Sequence, residues 1–303
     1  MKWEKLGRLY KPEVRHPKLL THAANPLAML IENDLYRVYY SGRDINNRSS
    51  VGYIDIDLHS REVVYVHNKP VFSHGDKDTF YSHGVSIGNS YESNGTKYIL
   101  FMGWQCQPGE HWMGEIGRLK VNKDMSLSLD LEKAYITTDD TDPVSLSYPW
   151  VLKELDGSYV MWYGSTRTWD AGNGEMLHVI NKAISRDGHS WKKCGLELPF
   201  SIDVAQAFSR PTVVGNANDG YRMWFSYRSG MGDKYKIGYA SNNNKNEWIL
   251  DLNNSGITCS KDGWDSEMIE YPFVFKHKEK LYMLYNGNEY GKTGIGLAVL
   301  IDE

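Results

Sequence analysis

The sequence predicts an all-β protein, a five-bladed β-propeller of four-stranded antiparallel blades. A short aromatic strand that runs into small polar residues occurs five times along the 303 residues. Its aligned aromatic residues recur about every 60 positions and are Tyr40, Phe101, Tyr163, Phe225 and Tyr285. A repeat of this length with several strands in each unit is typical of propeller blades. No segment shows the 3.6-residue periodicity of an amphipathic helix, so we expect very little helix.

The other strands of each blade are predicted around the aromatic strand. An inner strand precedes it, at residues 25–30, 83–87, 148–152, 210–214 and 271–275. A third strand follows it, at residues 51–54, 116–119, 182–185, 237–240 and 295–298. The fifth repeat ends after its third strand, so we expect residues 3–10 to supply its fourth strand. This pairing closes the ring without a long exposed edge. Residues 1–303 are predicted to form a single domain.

Composition and charge exclude several classes of partner. The net charge of −4 and the pI near 6.2 argue against nucleic-acid binding. No apolar stretch is long enough to cross a bilayer, and the N-terminus has no signal-peptide pattern, so we expect a cytoplasmic protein without membrane insertion. The three cysteines are scattered and odd in number, which favours reduced thiols. No motif for a cofactor is present, and the oligomeric state is not predicted.

Comparison of the repeats singles out three carboxylates as catalytic candidates. Glu270 is the only acid among the residues that lie two before the aligned Pro, or before Gly84 in the second blade. The other blades carry Ala24, Ser82, Ser147 and Ser209 there. Asp44 and Glu289 each follow the aligned aromatic residue of their blade by four positions. Glycoside hydrolysis usually needs two carboxyl groups, of which one is protonated. We expect the three to converge near the axis, where crowding raises the pKa of one of them. The alternative is an ion pair between Glu270 and an arginine.

Other acids recur in most of the blades and are interpreted differently. They lie in the connecting loops, at Asp78, Asp142, Asp203 and Asp265. A recurring acid is typical of a turn residue whose side chain bonds the backbone. Among them, Asp142 is kept as an outside catalytic candidate.

Aromatic, amide and basic residues near the axis are predicted to bind substrate. The set comprises Asn25, Arg43, His83, Trp104, Tyr148, Arg167, Trp169, Arg210, Arg228, Tyr271 and Asn288. Sugar rings stack on aromatic faces while their hydroxyls bond to fixed polar groups. The arginines equally suit a carboxylate, phosphate or sulfate. The histidines of these segments lack metal-ligand spacing, so no metal site is predicted.

Four motifs carry a resemblance to a known superfamily. They are Asn25-Pro26 followed by residues 39–44, residues 185–191, Ser209-Arg210-Pro211 and Glu270-Tyr271-Pro272. With the blade pattern they resemble the five-bladed propeller glycoside hydrolases: arabinanases, invertases, levansucrases and mannoside phosphorylases. The resemblance covers nearly the whole chain and resolves no single family. It implies a sugar-binding funnel on the axis and an acidic triad that inverts or retains configuration.

The chain departs from that superfamily at one position. Arabinanases and invertases carry an Asp at the start of the first inner strand, where this chain has residues 22–26, His-Ala-Ala-Asn-Pro. Three hypotheses follow. The acids named above act in its place in hydrolysis or glycosyl transfer; basic and amide side chains bind phosphate for inverting phosphorolysis; or the propeller binds glycans without catalysis. The resemblance to propellers of surface-polysaccharide pathways implies a carbohydrate or a nucleotide- or lipid-linked sugar as partner.

Overall fold

The protein is all-β in a computed structural model that describes residues 1–230, 232–242 and 247–302. Within these ranges the helical segments are a 3₁₀ turn, Leu252–Asn254, and one short helix, α1 (Asn288–Gly291). None of the described helices has the length and apolar character needed to cross a bilayer. The strands in chain order are β1 (Lys2–Tyr10), β2 (Thr21–Glu32), β3 (Leu35–Arg43), β4 (Ser49–Asp57), β5 (Glu62–Val66), β6 (Gly84–Ser93), β7 (Thr96–Gln105), β8 (Met113–Val121), β9 (Leu127–Leu129), β10 (Ser145–Lys153), β11 (Tyr159–Thr168), β12 (Leu177–Ser185), β13 (Lys192–Leu196), β14 (Ala207–Asn216), β15 (Gly220–Arg228), β16 (Lys236–Asn242), β17 (Trp248–Leu250), β18 (Glu270–His277), β19 (Lys280–Asn286) and β20 (Ile295–Asp302).

The strands pair in four-stranded antiparallel groups that follow one another along the chain. Groups one to four are β2 to β5, β6 to β9, β10 to β13 and β14 to β17. In group five, β18, β19 and β20 are completed by β1, so the N-terminal strand supplies the missing partner as predicted. Single parallel pairs, Ser49 with Gly84 and His178 with Ala207, join groups one and two and groups three and four. The two joined pairs make two eight-stranded sheets.

The first strands of the five groups lie next to one another. Strand β2 contacts β6, β6 contacts β10, β10 contacts β14, β14 contacts β18, and β18 contacts β2 again. This closed order of contacts places one edge of every group at a shared centre.

The recurring aromatic strand is explained by its packing on a glycine of the next strand. Tyr40 lies opposite Gly52 and Phe101 lies opposite Gly117. A Cβ atom at Gly117 would come within 2.2 Å of the Phe101 ring, and one at Gly52 within 2.7 Å of the Tyr40 ring. The aromatic ring therefore needs a residue without a side chain, and the same pairing occurs in groups four and five. In group three the partner of Tyr163 is Asn181 instead.

Each first strand contains a break in its pairing register at the position where most of the groups carry Xaa-Pro. The residue before proline has left-handed backbone at Asn25, Tyr148, Arg210 and Tyr271, with φ between 39° and 56°. This conformation is uncommon for residues with side chains. An extra residue in one strand bends it and changes the direction of the neighbouring side chains. At the break, the side chains of these four residues therefore do not follow the regular alternation between the two faces of the strand.

Group two corrects the alignment made from the sequence. Its register break lies between Ile87 and Ser90, so Gly88-Asn89 takes the place of Xaa-Pro there. The counterpart of Glu270 in this group is therefore Ile87, and the alignment on Ser82 was wrong by five positions. Because group two has no proline at the break, this repeat was aligned with the others on Gly84.

Arg210 connects three of the first strands. From β14 its guanidinium donates hydrogen bonds to the carbonyl oxygens of Pro26, Ile87 and Gly88. The residue is 2% exposed, and burial lowers the pKa of its guanidinium to about 9, so it stays charged at neutral pH. Arg210 therefore stabilises the centre, whereas the sequence predicted a role in substrate binding.

Replacing Arg210 with methionine tests this function. Arg210→Met leaves three buried carbonyl oxygens without their donor, and we expect the free energy of unfolding to fall by about 3 kcal/mol or more. Urea denaturation followed by tryptophan fluorescence measures it. The control is Arg186→Met at an exposed arginine, which is expected to change stability by less than about 0.5 kcal/mol. Equal stability of the two variants would contradict the assignment.

Candidate functional site

A cavity of about 430 Å³ lies where the five first strands meet. Every first strand contributes to its lining, through Asn25, Ser86, Tyr148, Ser209 and Tyr271. We refer to this space as the central cavity. Its volume lies within the range of small-molecule sites, about 300 to 1,000 Å³.

Glu270 lies at the first residue of β18, directly before the lining residue Tyr271. Its side chain is fully buried, and neither carboxyl oxygen has a hydrogen-bond partner among the described residues. Burial raises the pKa of Glu270 well above its usual range, while Arg43 and Arg228 act in the opposite direction. The carboxyl group therefore keeps its proton to a higher pH than an ordinary glutamate. It is not hydrogen-bonded to an arginine, which was the alternative considered from the sequence.

The three predicted carboxylates differ in their contacts. Asp44 is held in the turn after β3, where Oδ1 accepts hydrogen bonds from the backbone of Asn46 and Arg48. Its Oδ2 accepts one from the Arg48 guanidinium at 2.9 Å. Glu289 pairs with Lys292 at 2.6 Å, and this contact lowers the pKa of Glu289. The expectation that crowded carboxylates raise the pKa of Glu270 is wrong, because burial is the cause.

Asp142 and Asp265, two of the recurring acids, bond to other side chains, whereas their recurrence predicted bonds to the backbone. The buried Asp142 accepts hydrogen bonds from Tyr163 and Asn181 and forms an ion pair with Lys193. Its counterpart in group five, Asp265, accepts a hydrogen bond from the hydroxyl of the aligned Tyr285. The carboxylate of Asp142 therefore has partners within the protein, and the residue does not line the central cavity.

Two arginines line the cavity in different electrostatic states. Arg228 forms an ion pair with Glu175, with Nε 2.7 Å from Oε2, and Nη2 donates a 3.0 Å hydrogen bond to Oε1. The side chain of Glu175 is 7% exposed, so this carboxylate depends on Arg228 for its charge balance. Arg43 has one side-chain hydrogen bond, from Nη1 to Oδ1 of Asn47 at 2.7 Å. The sequence did not identify Glu175, because it lies in a glycine-rich loop that is brought to Arg228 only by packing of groups three and four.

Aromatic side chains form much of the wall. Trp104 lines the cavity, and its indole donates a 3.1 Å hydrogen bond to Ser49. Trp112 also lines it and is supported by Trp169 in an edge-to-face contact at 4.8 Å. Trp169 therefore lies behind the wall, stacked at 4.6 Å on His111. Two further lining tyrosines, absent from the predicted set, are Tyr235 and Tyr290.

His178 is a lining residue that no sequence signal marked. Its Nε2 is 2.7 Å from the hydroxyl of Ser147, and its Nδ1 is 2.7 Å from the hydroxyl of Thr166. Burial lowers the pKa of His178 to about 3, so the ring is neutral at neutral pH. It adds a fixed polar group to the cavity without adding charge.

Three of the predicted binding residues make other contacts and are absent from the lining. Arg167 donates to the carbonyl of Thr141 and to the side chain of Asn181. Asn288 accepts hydrogen bonds from the backbone of residues 267 and 268. His83 precedes β6 and accepts a hydrogen bond from the backbone of Cys106. Their residue types fitted a sugar site, but backbone and side-chain groups from other parts of the chain take up these hydrogen bonds.

The fold is similar to that of solved glycoside hydrolases. Similar solved structures include a glycoside hydrolase with a TM-score of 0.74 and 13% identity, which covers 97% of this chain and 93% of that chain. A thermostable family-43 glycoside hydrolase has a TM-score of 0.69 and 16% identity over 95% and 93% of the two chains. A structure from the GH130 family of mannoside phosphorylases has a TM-score of 0.69 and 13% identity over 98% and 93%. These likenesses are to proteins of the kind predicted from the sequence, and they show a shared fold.

Sequence similarity is stronger to two proteins of Mycobacterium tuberculosis. They are "Uncharacterized protein MT1551" of strain CDC 1551 / Oshkosh and "Uncharacterized protein Rv1502" of strain ATCC 25618 / H37Rv. Each is 39% identical over 302 residues, which is 99% of this chain and 99% of the relative. The chain belongs to the family of these mycobacterial proteins. No protein-family profile matches the sequence.

The ion pair between Arg228 and Glu175 gives a stability prediction. Arg228→Met leaves a buried carboxylate without its cation, and we expect the free energy of unfolding to fall by about 3 kcal/mol. The double variant Arg228→Met/Glu175→Gln also removes the unpaired charge of Glu175. We expect it to recover most of the lost free energy of unfolding. Urea denaturation of the wild type, both single variants and the double variant gives the coupling energy. Additive losses would contradict the pairing.

The buried carboxyl group of Glu270 makes stability depend on pH. The unfolded chain ionises near the ordinary value of 4.5, whereas the folded state keeps the proton to higher pH. The wild type therefore loses stability as pH rises above that value, by at most about 1.4 kcal/mol per pH unit. Glu270→Gln lacks this loss, so its stability relative to the wild type should increase between pH 5 and pH 8.

Urea denaturation at several pH values measures the difference between Glu270→Gln and the wild type. The matched control is Glu279→Gln, at a glutamate whose side chain is 94% exposed. A pH-independent difference for Glu270→Gln would show that the carboxyl group ionises normally in the folded state.

Proposed function

We propose that this protein is a carbohydrate-active enzyme that hydrolyses or transfers a glycosyl group in the central cavity. Glu270 acts as the general acid. The observation that carries the proposal is the position of Glu270: a fully buried carboxyl group beside the cavity, with both oxygens free of hydrogen bonds. Cleavage of a glycosidic bond requires a proton on the leaving oxygen, and a carboxylic acid with a raised pKa supplies it near neutral pH.

The remaining lining suits a sugar. Tryptophan and tyrosine side chains offer flat apolar faces for the ring. Buried polar atoms without partners, Oδ1 of Asn25 and Oγ of Ser209, offer positions for hydroxyl groups. The neutral His178, bonded on both ring nitrogens, keeps a fixed orientation beside them. Convergent polar groups in an aromatic cavity are typical of sites that orient a small polar ligand.

We also propose that the five strand groups are the blades of a single propeller domain, residues 1–303. The closed order of contacts among the first strands supports this arrangement. A propeller has its ligand site on the axis, where the first strands meet, and this is where the cavity lies. A carbohydrate, free or linked to a nucleotide or lipid, is the proposed partner, and the cytoplasm is the proposed location.

Kinetics of Glu270→Gln test the assignment. On glycosides with a poor leaving group we expect kcat to fall about 10²- to 10⁴-fold, because the amide cannot donate the proton. On a dinitrophenyl glycoside the leaving group needs little protonation, so the same variant should retain much more of its activity. Release of sugar from a panel of glycosides, with and without inorganic phosphate, measures turnover and identifies the acceptor. Glu279→Gln serves as the control with unchanged kinetics.

Two results would contradict the proposal. If Glu270→Gln lost equal kcat on glycosides with poor and good leaving groups, Glu270 would not be the proton donor. Absence of turnover on every glycoside, in either buffer, would favour glycan binding without catalysis.

A further inference from the structure

The charges around the central cavity do not cancel. Two arginines line it, and Arg228 is compensated by its ion pair with Glu175. Arg43 forms no ion pair with any carboxylate in the part of the chain that the structure describes. Its single side-chain hydrogen bond goes to Asn47, a neutral residue that also lines the cavity. One guanidinium charge therefore faces the cavity without an opposite charge.

No acidic group in the lining compensates Arg43. The cavity-lining residues contain neither aspartate nor glutamate. Glu270 is the carboxyl group beside the cavity, and its oxygens accept no hydrogen bond from Arg43. Asp44, the next residue in the chain, is bonded to the backbone of its own turn and to Arg48. The cavity is therefore a positively charged space with neutral polar groups around it.

Hydrogen-bonding groups accompany this charge. Asn25 is 3% exposed, lines the cavity and has a buried Oδ1 without a partner. Ser209 is 5% exposed, lines the cavity and has an unpartnered Oγ. Buried polar atoms without a partner are costly, so such atoms in a cavity indicate a ligand that bonds to them. A ligand with both an oxyanion and hydroxyl groups satisfies Arg43, Asn25 and Ser209 together.

We infer that the central cavity binds an acidic sugar, one that carries a carboxylate or a phosphate, and that Arg43 binds this anionic group. The guanidinium of Arg43 has its Nη1 held by Asn47, which orients the planar group. A guanidinium fork binds carboxylate and phosphate oxygens in a bidentate manner. The inference rests on the proposed function, because it names the class of sugar that this site receives.

Titration calorimetry with monosaccharides tests the inference separately from catalysis. The acidic probes are glucuronate, galacturonate, N-acetylneuraminate and glucose 6-phosphate, and the neutral probes are glucose, galactose and N-acetylglucosamine. We expect at least one acidic probe to bind about 10-fold or more tightly than its neutral counterpart. Preference for a uronate or neuraminate identifies a carboxylate as the anion, and preference for the phosphate ester identifies phosphate.

Variants of Arg43 locate the contact. Arg43→Gln is expected to weaken binding of the preferred acidic sugar about 10- to 100-fold and to leave binding of the neutral sugar unchanged. Arg43→Lys keeps the charge without the fork and should give an intermediate affinity. The control Arg186→Gln removes the same charge at an exposed position outside the cavity and should bind as the wild type does. Melting temperatures establish that each variant is folded.

The outcomes separate the inference from the proposed function. Equal or tighter binding of neutral sugars by the wild type overturns the inference, even if glycosides are turned over. Equal weakening of acidic and neutral sugars by Arg43→Gln also overturns it. If neither acidic nor neutral sugars bind and no glycoside is cleaved, the proposed function falls, and the inference falls with it.

Discussion

The register break in the five first strands is the constraint on which the site depends. At each break the strand gains residues that have no partner on the neighbouring strand, and the chain bends toward the centre. Asn25, Tyr148 and Tyr271 line the cavity from these positions, and Glu270 lies directly before one of them. The fourth such residue, Arg210, takes a different role, because its long side chain reaches the carbonyl oxygens of two other first strands, β2 and β6.

Burial and charge pairing at the centre divide the polar residues into distinct roles. Arg210 donates hydrogen bonds to carbonyl groups through both Nη atoms and stabilises the fold. Arg228 is satisfied by Glu175, and His178 is neutral between two hydroxyl groups. Among the described residues, Glu270 has no hydrogen-bond partner for its carboxyl oxygens, and the cavity-lining Arg43 has no carboxylate partner. Burial raises the pKa of Glu270 beside the cavity, and Arg43 places a positive charge in its lining. These are the two groups to which the proposals assign function.

The repeat in the sequence was sufficient to find Glu270, because comparison among the blades showed an acid in only one of them. The same comparison suggested Asp44 and Glu289, and both make contacts within their own loops. Equal spacing along the chain places two residues at similar points of a loop, but it does not determine what their side chains bond. Asp44 accepts hydrogen bonds from the backbone of its own turn, and Glu289 pairs with Lys292 three residues later. Glu175 was missed for the opposite reason, since its partner Arg228 lies 53 residues away.

The sequence by itself determined the strand repeat, the all-β class, the pairing of the N-terminal strand and the superfamily resemblance. These features depend on patterns that repeat along the chain, such as the aromatic residue that faces a glycine of the next strand in four of the five groups. The tertiary structure alone decided which polar side chains face the cavity and which charges are compensated. Those properties depend on desolvation and on distances of a few ångströms between segments that are far apart in the chain, and neither quantity is encoded in residue spacing.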